Sequence, residues 1–149
     1  MTIKELIVNI RVKNIRGEVD QAVTAIHFDS RKVVPGSVFV AVKGRATDGH
    51  MFIDKAVDRG AVCVITEENV DHISEHVCVL TVENSAEVLA KIAGAFYDFP
   101  SRNLTMVGVT GTNGKTTVAT LLFRLFTELG YKCGLLSTIE NRIGDEVEP

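Results

Sequence analysis

Eight residues, Thr110-Gly-Thr-Asn-Gly-Lys-Thr-Thr117, combine the residue types that bind phosphate groups. Glycines allow backbone N–H groups to converge on an anion, and a helix N-terminus and a lysine add positive charge. The Thr116 hydroxyl is placed to ligate a magnesium ion that bridges phosphates. The segment therefore predicts nucleotide chemistry.

The flanking residues supply the elements that would hold this turn. An apolar stretch, 104–109, predicts a strand before it, and apolar residues at helical spacing in 118–129 predict a helix after it. The spacing Gly-x-x-x-x-Gly-Lys-Thr would require glycine at position 109, where this chain has Val109. This departure argues against an ordinary GTPase or kinase loop. The alternative interpretation, a plain glycine turn with a solvated Lys115, also remains.

Composition limits the other classes of function. The chain has 149 residues, 46% of them hydrophobic, and a formal net charge of −3. It can bury a sizeable core and has no global attraction to nucleic acid or an anionic membrane. Its three cysteines lie in apolar runs without a Cys-x-x-Cys pair. We therefore expect reduced thiols rather than disulfides or a zinc site.

The start of the chain does not resemble a secretory signal. Met1 is followed by a polar stretch with an early acid, and no apolar run approaches about 18 residues. We expect a cytoplasmic protein that does not insert into a membrane.

Strand and helix patterns alternate through the first hundred residues. Strands are predicted over 25–29, 37–42, 61–66 and 77–82, and helices over 3–10, 52–57 and 85–96, with Ser85 as the N-cap of the last. The alternation predicts an α/β fold whose sheet is at least partly parallel. Phe99-Pro-Ser-Arg-Asn103 interrupts the pattern, so we place a domain boundary there, with domains 1–99 and 100–149.

The second segment is short for the domain that it begins. After the helix, a strand over 133–138 and a hairpin that turns at Gly144-Asp145 are predicted. A unit of this size does not complete a doubly wound nucleotide domain. We expect the chain to be the N-terminal part of a longer enzyme and to be inactive alone.

Two separate segments resemble the Mur ligase superfamily. Residues 110–117 are similar to its ATP-binding loop, and residues 29–50, with Asp29-Ser-Arg31, Pro35-Gly36 and Asp48-Gly-His50, are similar to its N-terminal substrate domain. The resemblance implies an α/β substrate domain followed by the start of a P-loop, doubly wound central ATPase domain. The stretch from Ser137 to Val147 is most similar to the MurE type.

The resemblance also implies a reaction. MurE-type enzymes are ATP-dependent ligases that add a third amino acid, diaminopimelate or lysine, to UDP-N-acetylmuramoyl-L-alanyl-D-glutamate during peptidoglycan precursor synthesis. The carboxylate is activated as an acyl phosphate, with ATP and Mg²⁺ as cofactors. A MurF-type ligase that adds D-alanyl-D-alanine and a non-catalytic nucleotide-binding module remain alternatives. The sequence leaves the choice of amino acid and the oligomeric state open.

Site residues follow by position from the resemblance. Lys115 is expected to contact the β- and γ-phosphates as the catalytic cation, and Thr116 is expected to hold Mg²⁺. Thr117 either supports the loop or only opens the helix. The expected nucleotide-binding set is Gly111, Thr112, Asn113, Gly114, Lys115, Thr116 and Thr117, and the expected uridine diphosphate set is Phe28, Ser30, Arg45, Ala46 and Thr47.

Neighbouring polar residues favour structural roles. We expect Asp29 to form a turn and Arg31 to make a salt bridge or face solvent. Asp48-Gly49-His50 is expected to fix its loop, with His50 capping a helix rather than acting in catalysis. Glu67 and Glu68 are interpreted as a solvated connection.

Overall fold

The computed structural model of the protein describes residues 1–44 and 47–148. The chain divides into two units, Met1–Asn103 (unit 1) and Leu104–Pro149 (unit 2). Arg45 and Ala46, both expected in the uridine diphosphate site, lie outside the described residues.

Unit 1 contains the predicted alternation of strands and helices. In chain order its elements are α1 (Ile3–Leu6), β1 (Val12–Arg16), β2 (Ala25–His27), β3 (Ser37–Val40), α2 (Ile53–Asp58), β4 (Ala61–Thr66), β5 (Cys78–Val82) and α3 (Ser85–Phe96). Short 3₁₀ helices span Ser30–Lys32, Gly49–Phe52 and Pro100–Asn103.

The five strands form one sheet in the order β1-β5-β4-β3-β2. Strands β2 to β5 are mutually parallel, whereas β1 pairs antiparallel with β5 at the edge. The predicted, partly parallel α/β sheet is confirmed. β1 was not predicted, because its polar middle residues, 13 and 14, do not give the apolar signal of a buried strand.

Both faces of this sheet are buried, which explains the continuous apolar runs of its inner strands. Alternate residues of β4 point to opposite faces: Cys63 and Ile65 belong to the cluster that includes α1 and α3. Val64 belongs to the cluster that includes α2. The helices therefore hold the sheet between two apolar layers, and the ends of the strands are left for the connecting segments.

Unit 2 consists of one helix and a small antiparallel sheet. Its elements are α4 (Lys115–Glu128), β6 (Gly134–Leu136), β7 (Asn141–Ile143) and β8 (Glu146–Glu148). The strands pair in the order β6-β7-β8, and the predicted hairpin is confirmed, with Gly144 at a φ of 61°.

The strand predicted over 104–109 is wrong. The segment pairs with no described strand, and Leu104, Met106 and Val107 are 63%, 65% and 62% exposed. A strand requires a neighbour that completes its hydrogen bonds, and apolar residues alone do not supply one.

The three cysteines differ in burial: Cys63 and Cys78 are buried, and Cys133 is half-buried. All three cysteines are free, as expected, and Cys63 and Cys78 lie opposite each other on β4 and β5. A hydrogen bond to Cys78, together with burial, raises the pKa of the Cys63 thiol. Within 1–44 and 47–148, none of the helices combines the length and the hydropathy of a bilayer span.

Candidate functional site

The carboxyl ends of the parallel strands β2 to β5 lie along one edge of the unit 1 sheet. Open α/β sheets bind ligands outside this edge, because the connecting segments leave a crevice there. The segments that follow the strands begin at Phe28, Ala41, Glu67 and Glu83. The expected substrate residues of unit 1 that are described, Phe28, Ser30 and Thr47, all belong to these segments.

The segment after β2 presents an exposed ring beside a buried serine residue. Phe28 is 66% exposed, whereas Ser30 is 8% exposed. Among the described residues, the Ser30 hydroxyl has no hydrogen-bond partner. An aromatic face and an available hydroxyl are suited to a nucleoside.

Asp29 and Arg31 shape this segment, as expected. Asp29 Oδ1 accepts a hydrogen bond from the Arg31 backbone N–H at 3.0 Å and so caps the 3₁₀ helix that contains Ser30. The Arg31 guanidinium pairs with Asp29 Oδ2 at 2.7 Å. Hydrogen bonds from the Arg31 side chain and backbone lower the pKa of Asp29 from 3.8 to about 2.

The segment after β3 folds back on itself. Gly44 N donates to Thr47 O at 3.0 Å, and Gly49 N donates to Val42 O at 2.9 Å. A Cβ atom on Gly49 would lie 2.7 Å from Val42 N and O, so only glycine permits this approach. Thr47 is therefore held on a narrow loop whose base is fixed by backbone contacts.

A chain of hydrogen bonds joins the base of this loop to the next two strands. Asp48 Oδ1 lies 2.6 Å from His50 Nδ1, and the Glu67 backbone N–H donates to His50 Nε2 at 3.0 Å. The Glu67 carboxylate accepts from both the N–H and the hydroxyl of Ser85, each at 2.8 Å. These Ser85 hydrogen bonds lower the pKa of Glu67.

Three expectations about these residues need correction. Asp48 rather than His50 caps the 3₁₀ helix Gly49–Phe52, by accepting from His50 N at 3.0 Å. Asn84 rather than Ser85 is the N-cap of α3, because its side chain accepts from Glu87 N at 2.9 Å. Glu67 is part of the network and not a solvated connection. An acid directly after a buried strand was the available signal for it.

The candidate phosphate loop of unit 2 leads directly into α4. Gly114, with a φ of 76°, occupies the N-cap position, where it provides no side-chain acceptor for the first turn. A positive φ at this position favours glycine. Backbone N–H groups at the start of α4 are therefore available to an anion.

Lys115 bonds to its own loop. Its ammonium donates to Gly111 O at 2.7 Å and to Thr112 O at 3.4 Å. Gly111 to Lys115 are exposed, and Thr116 is half-buried beside them. The loop therefore keeps a full positive charge against its carbonyl groups and remains open to solvent.

The residues present fit magnesium only in part. The Thr116 hydroxyl is an oxygen donor of the kind that Mg²⁺ accepts. In the part of the chain that the structure describes, three or more His, Cys, Asp or Glu side chains do not gather into a metal-binding group. Thr116 would thus hold the ion only together with phosphate oxygens and water.

A cleft of about 300 Å³ in unit 1 lies away from these residues. It is lined by Leu6, Asn9, Ile10, Lys91, Ala95, Phe99 and Arg102, which belong to α1, α3 and the segments that follow them. None of its lining residues is among the expected site residues.

Comparisons with known proteins find similar proteins that are named ligases. The family model described as "Mur ligase family, catalytic domain" matches residues 22–97. The UDP-N-acetylmuramoyl-L-alanyl-D-glutamate--2,6-diaminopimelate ligase of Cytophaga hutchinsonii is 53% identical over 148 residues, which are 99% of this chain and 30% of that protein. The chain thus spans less than a third of this curated relative.

Solved structures agree on the fold. A diaminopimelate ligase of the same name superposes on 100% of this chain and 30% of its own, with a TM-score of 0.69 and 23% identity. The MurF ligase of Thermotoga maritima in complex with ADP matches 74% of this chain and 25% of its own, with a TM-score of 0.52 and 35% identity. The first likeness is one of fold alone.

Proposed function

We propose, because the chain belongs to the Mur ligase family, that it supplies the substrate-binding domain and the first part of the ATP-binding domain of an amide-forming ligase. The similarity to the Cytophaga hutchinsonii diaminopimelate ligase along 99% of the chain carries this proposal. The proposed domains are 1–99 and 100–149, with the boundary in the segment 99–103. Activity is proposed for a polypeptide that also contains the remaining two thirds of such relatives.

The proposed reaction joins diaminopimelate to UDP-N-acetylmuramoyl-L-alanyl-D-glutamate in peptidoglycan precursor synthesis. The substrate carboxylate takes the γ-phosphoryl group of ATP, and the amine then attacks the carbonyl carbon and releases phosphate. ATP, with Mg²⁺, supplies the activation that makes the carboxylate electrophilic. We propose diaminopimelate rather than lysine as the added amino acid because the similar ligase is named for diaminopimelate.

Residues of unit 1 would bind the uridine diphosphate end. Phe28 and Ser30 offer a ring and a hydroxyl, and Thr47 lies on the neighbouring loop at the same edge of the sheet. Arg45 and Ala46 belong to the same proposed set. The small loop residues suit the approach of a diphosphate to the backbone.

Residues of unit 2 would bind the triphosphate. The backbone N–H groups of the segment from Gly111 to Gly114 and the start of α4 are proposed to contact phosphate oxygens. Lys115 would exchange its two carbonyl acceptors for the β- and γ-phosphates, which form stronger, charge-assisted hydrogen bonds. Thr116 would hold Mg²⁺, and Thr117 would support the loop.

A MurF-type ligase is the weaker alternative, although the chain is similar to the Thermotoga maritima MurF structure with bound ADP. The 35% identity of that protein is well below the 53% of the diaminopimelate ligase. The diaminopimelate reaction is therefore the better-supported proposal.

Two experiments test the proposal. Isothermal titration of the 149-residue chain with UDP-N-acetylmuramoyl-L-alanyl-D-glutamate should show binding, whereas UDP-glucose serves as the matched nucleotide control. Phosphate release by the longer polypeptide should require ATP and diaminopimelate, with lysine and D-alanyl-D-alanine giving little. Activity with D-alanyl-D-alanine would support the MurF type, and ATP binding without turnover would support a non-catalytic module.

A further inference from the structure

We propose that His50 and Glu67 are positioning residues for the nucleotide substrate: their hydrogen bonds tie the loop that bears Thr47 to the end of β4 and the start of α3. This inference rests on the proposed function of unit 1. It adds two residues that do not themselves belong to the proposed binding set.

His50 is held from both sides of its ring. Its side chain is 8% exposed, with Asp48 Oδ1 at 2.6 Å from Nδ1 and the Glu67 N–H at 3.0 Å from Nε2. Because an N–H group donates to Nε2, that nitrogen is an acceptor and the ring proton is on Nδ1. The imidazole therefore acts as a neutral bridge that donates to Asp48 and accepts from Glu67.

Glu67 extends the bridge to the next element. Its carboxylate accepts two hydrogen bonds from Ser85, the first residue of α3, and both are 2.8 Å long. A carboxylate at a helix N-terminus also interacts favourably with the helix dipole. The residue thus joins the end of β4 to the start of the helix that follows β5.

The loop itself is anchored at the near end of this bridge. Asp48 pairs with Lys43 across the base of the loop, with 4.0 Å between Nζ and Oδ2, and its neighbour Gly49 bonds to Val42. Thr47 directly precedes Asp48. A shift of Asp48 would therefore move Thr47, and a small displacement of a binding group has a large effect on affinity.

The two residues are polar and lie at the edge of the sheet, outside the apolar clusters on its two faces. Loss of the bridge should therefore act more on ligand affinity than on the folded state. This distinction separates a positioning role from a general structural one.

Two substitutions at position 50 divide the bridge into its halves. His50→Asn keeps a donor near the Nδ1 position for Asp48 and loses the acceptor for Glu67. His50→Gln places an amide oxygen near the Nε2 position and so keeps that acceptor. His76→Gln is the matched control, because the His76 ring is exposed and makes no hydrogen bond with the described residues.

The measurement is isothermal titration of the 149-residue chain with UDP-N-acetylmuramoyl-L-alanyl-D-glutamate, beside thermal unfolding of each variant. We expect His50→Asn and His50→Gln each to raise Kd about tenfold, because each breaks one of the two contacts of the bridge, and His76→Gln to stay within ~2-fold of the parent. Glu67→Ala should also raise Kd several-fold, whereas Glu68→Ala, with an exposed side chain, should not.

Each other result counts against the inference. Unchanged Kd values for His50→Asn and Glu67→Ala would overturn it while leaving the proposed function intact. Weaker binding by these variants that is matched by a fall in their melting temperatures would show a purely structural role and also overturn it. A parent chain that does not bind the nucleotide would overturn the inference and the proposed substrate domain together.

Discussion

Lys115 is the residue that we propose to contact the β- and γ-phosphates of ATP. In the free loop its ammonium is satisfied by two carbonyl oxygens, which are neutral and therefore weaker acceptors than phosphate. The same lysine can thus stabilise the loop through these carbonyl groups and still form stronger hydrogen bonds with the phosphates of a nucleotide. The proposed exchange needs only a side-chain movement.

Substitution of this lysine should abolish catalysis without unfolding the chain. We expect Lys115→Ala, in the longer polypeptide, to lower turnover by about 100-fold or more, because a preorganised charge on the transferring phosphoryl group is lost. Its exposed side chain makes the fold insensitive to the change. Phosphate release would be compared with that of Lys132→Ala, an exposed lysine of the same unit. Near-parental rates for both variants would exclude the assignment.

Asp29 should contribute to the acid stability of unit 1. Its pKa is about 2 in the folded chain and 3.8 ordinarily, so its contribution is present above pH 3.8 and is lost as the pH falls towards 2. Asp29→Asn should therefore unfold more easily than the parent at pH 5, and this difference should shrink at pH 2.5. Urea denaturation at the two pH values measures it.

The effect should be small because the Arg31 partner is 84% exposed and solvent screens the pair. Asp20→Asn is the control, since Asp20 is exposed and makes no ion pair with the described residues. A difference between Asp29→Asn and the parent that is the same at both pH values would refute the charge-based account.

At the scale of elements, the loop after β3 depends on one close backbone approach. Gly49→Ala would bring a Cβ atom to 2.7 Å from Val42 N and O, so the loop base must shift. We expect a loss of about 1–3 kcal/mol in the free energy of unfolding, as for other overpacked sites.

Gly108→Ala is the matched comparison for this substitution. A Cβ atom on Gly108 meets nothing within 4 Å, and its φ is not positive. Chemical denaturation should therefore show a change within about 0.5 kcal/mol. Equal losses for the two variants would mean that steric contact is not the cause.

The elements also show what a sequence can predict. β3, β4 and β5 are found because burial on both faces makes each a continuous apolar run. β1 is not predicted from the sequence because an edge strand with polar residues has no such apolar run. The segment 104–109 has the apolar residues of a strand but lacks a neighbouring strand to pair with. The composition of one segment does not show whether such a neighbour exists.

The candidate site likewise contains one part that the sequence predicts and one part that it does not. The candidate phosphate loop is local, so the order of its glycines, lysine and threonines predicts its place at the start of α4. The bridge from His50 to Glu67 joins residues 17 positions apart through the packing of two strands. Spacing along the chain does not identify such a pair, and the available signal, an acid directly after a buried strand, does not name the partner of Glu67.

At the scale of the whole molecule, unit 2 exposes much apolar surface. Leu121 and Leu125, one turn apart on α4, are 59% and 53% exposed. Contiguous apolar surface of this kind favours association in water. We expect the 149-residue chain to self-associate as its concentration rises.

Charged residues on α4 should reduce this association. The double variant Leu121→Lys, Leu125→Lys should sediment as a smaller species than the parent in analytical ultracentrifugation. Val8→Lys, at a residue of unit 1 that is 73% exposed, should sediment like the parent. A parent that remains monomeric over the same concentrations would contradict the prediction.

The antiparallel pairing of β1 with β5 sets an order of events during synthesis. Val12 pairs with Val82, so the first strand to leave the ribosome waits until the last strand of its sheet has emerged. Until then β1 lacks the one neighbour that completes its hydrogen bonds, and unpaired strands favour aggregation. Slower translation between the codons for Val12 and Val82 should therefore lengthen the time in which the nascent chain can aggregate.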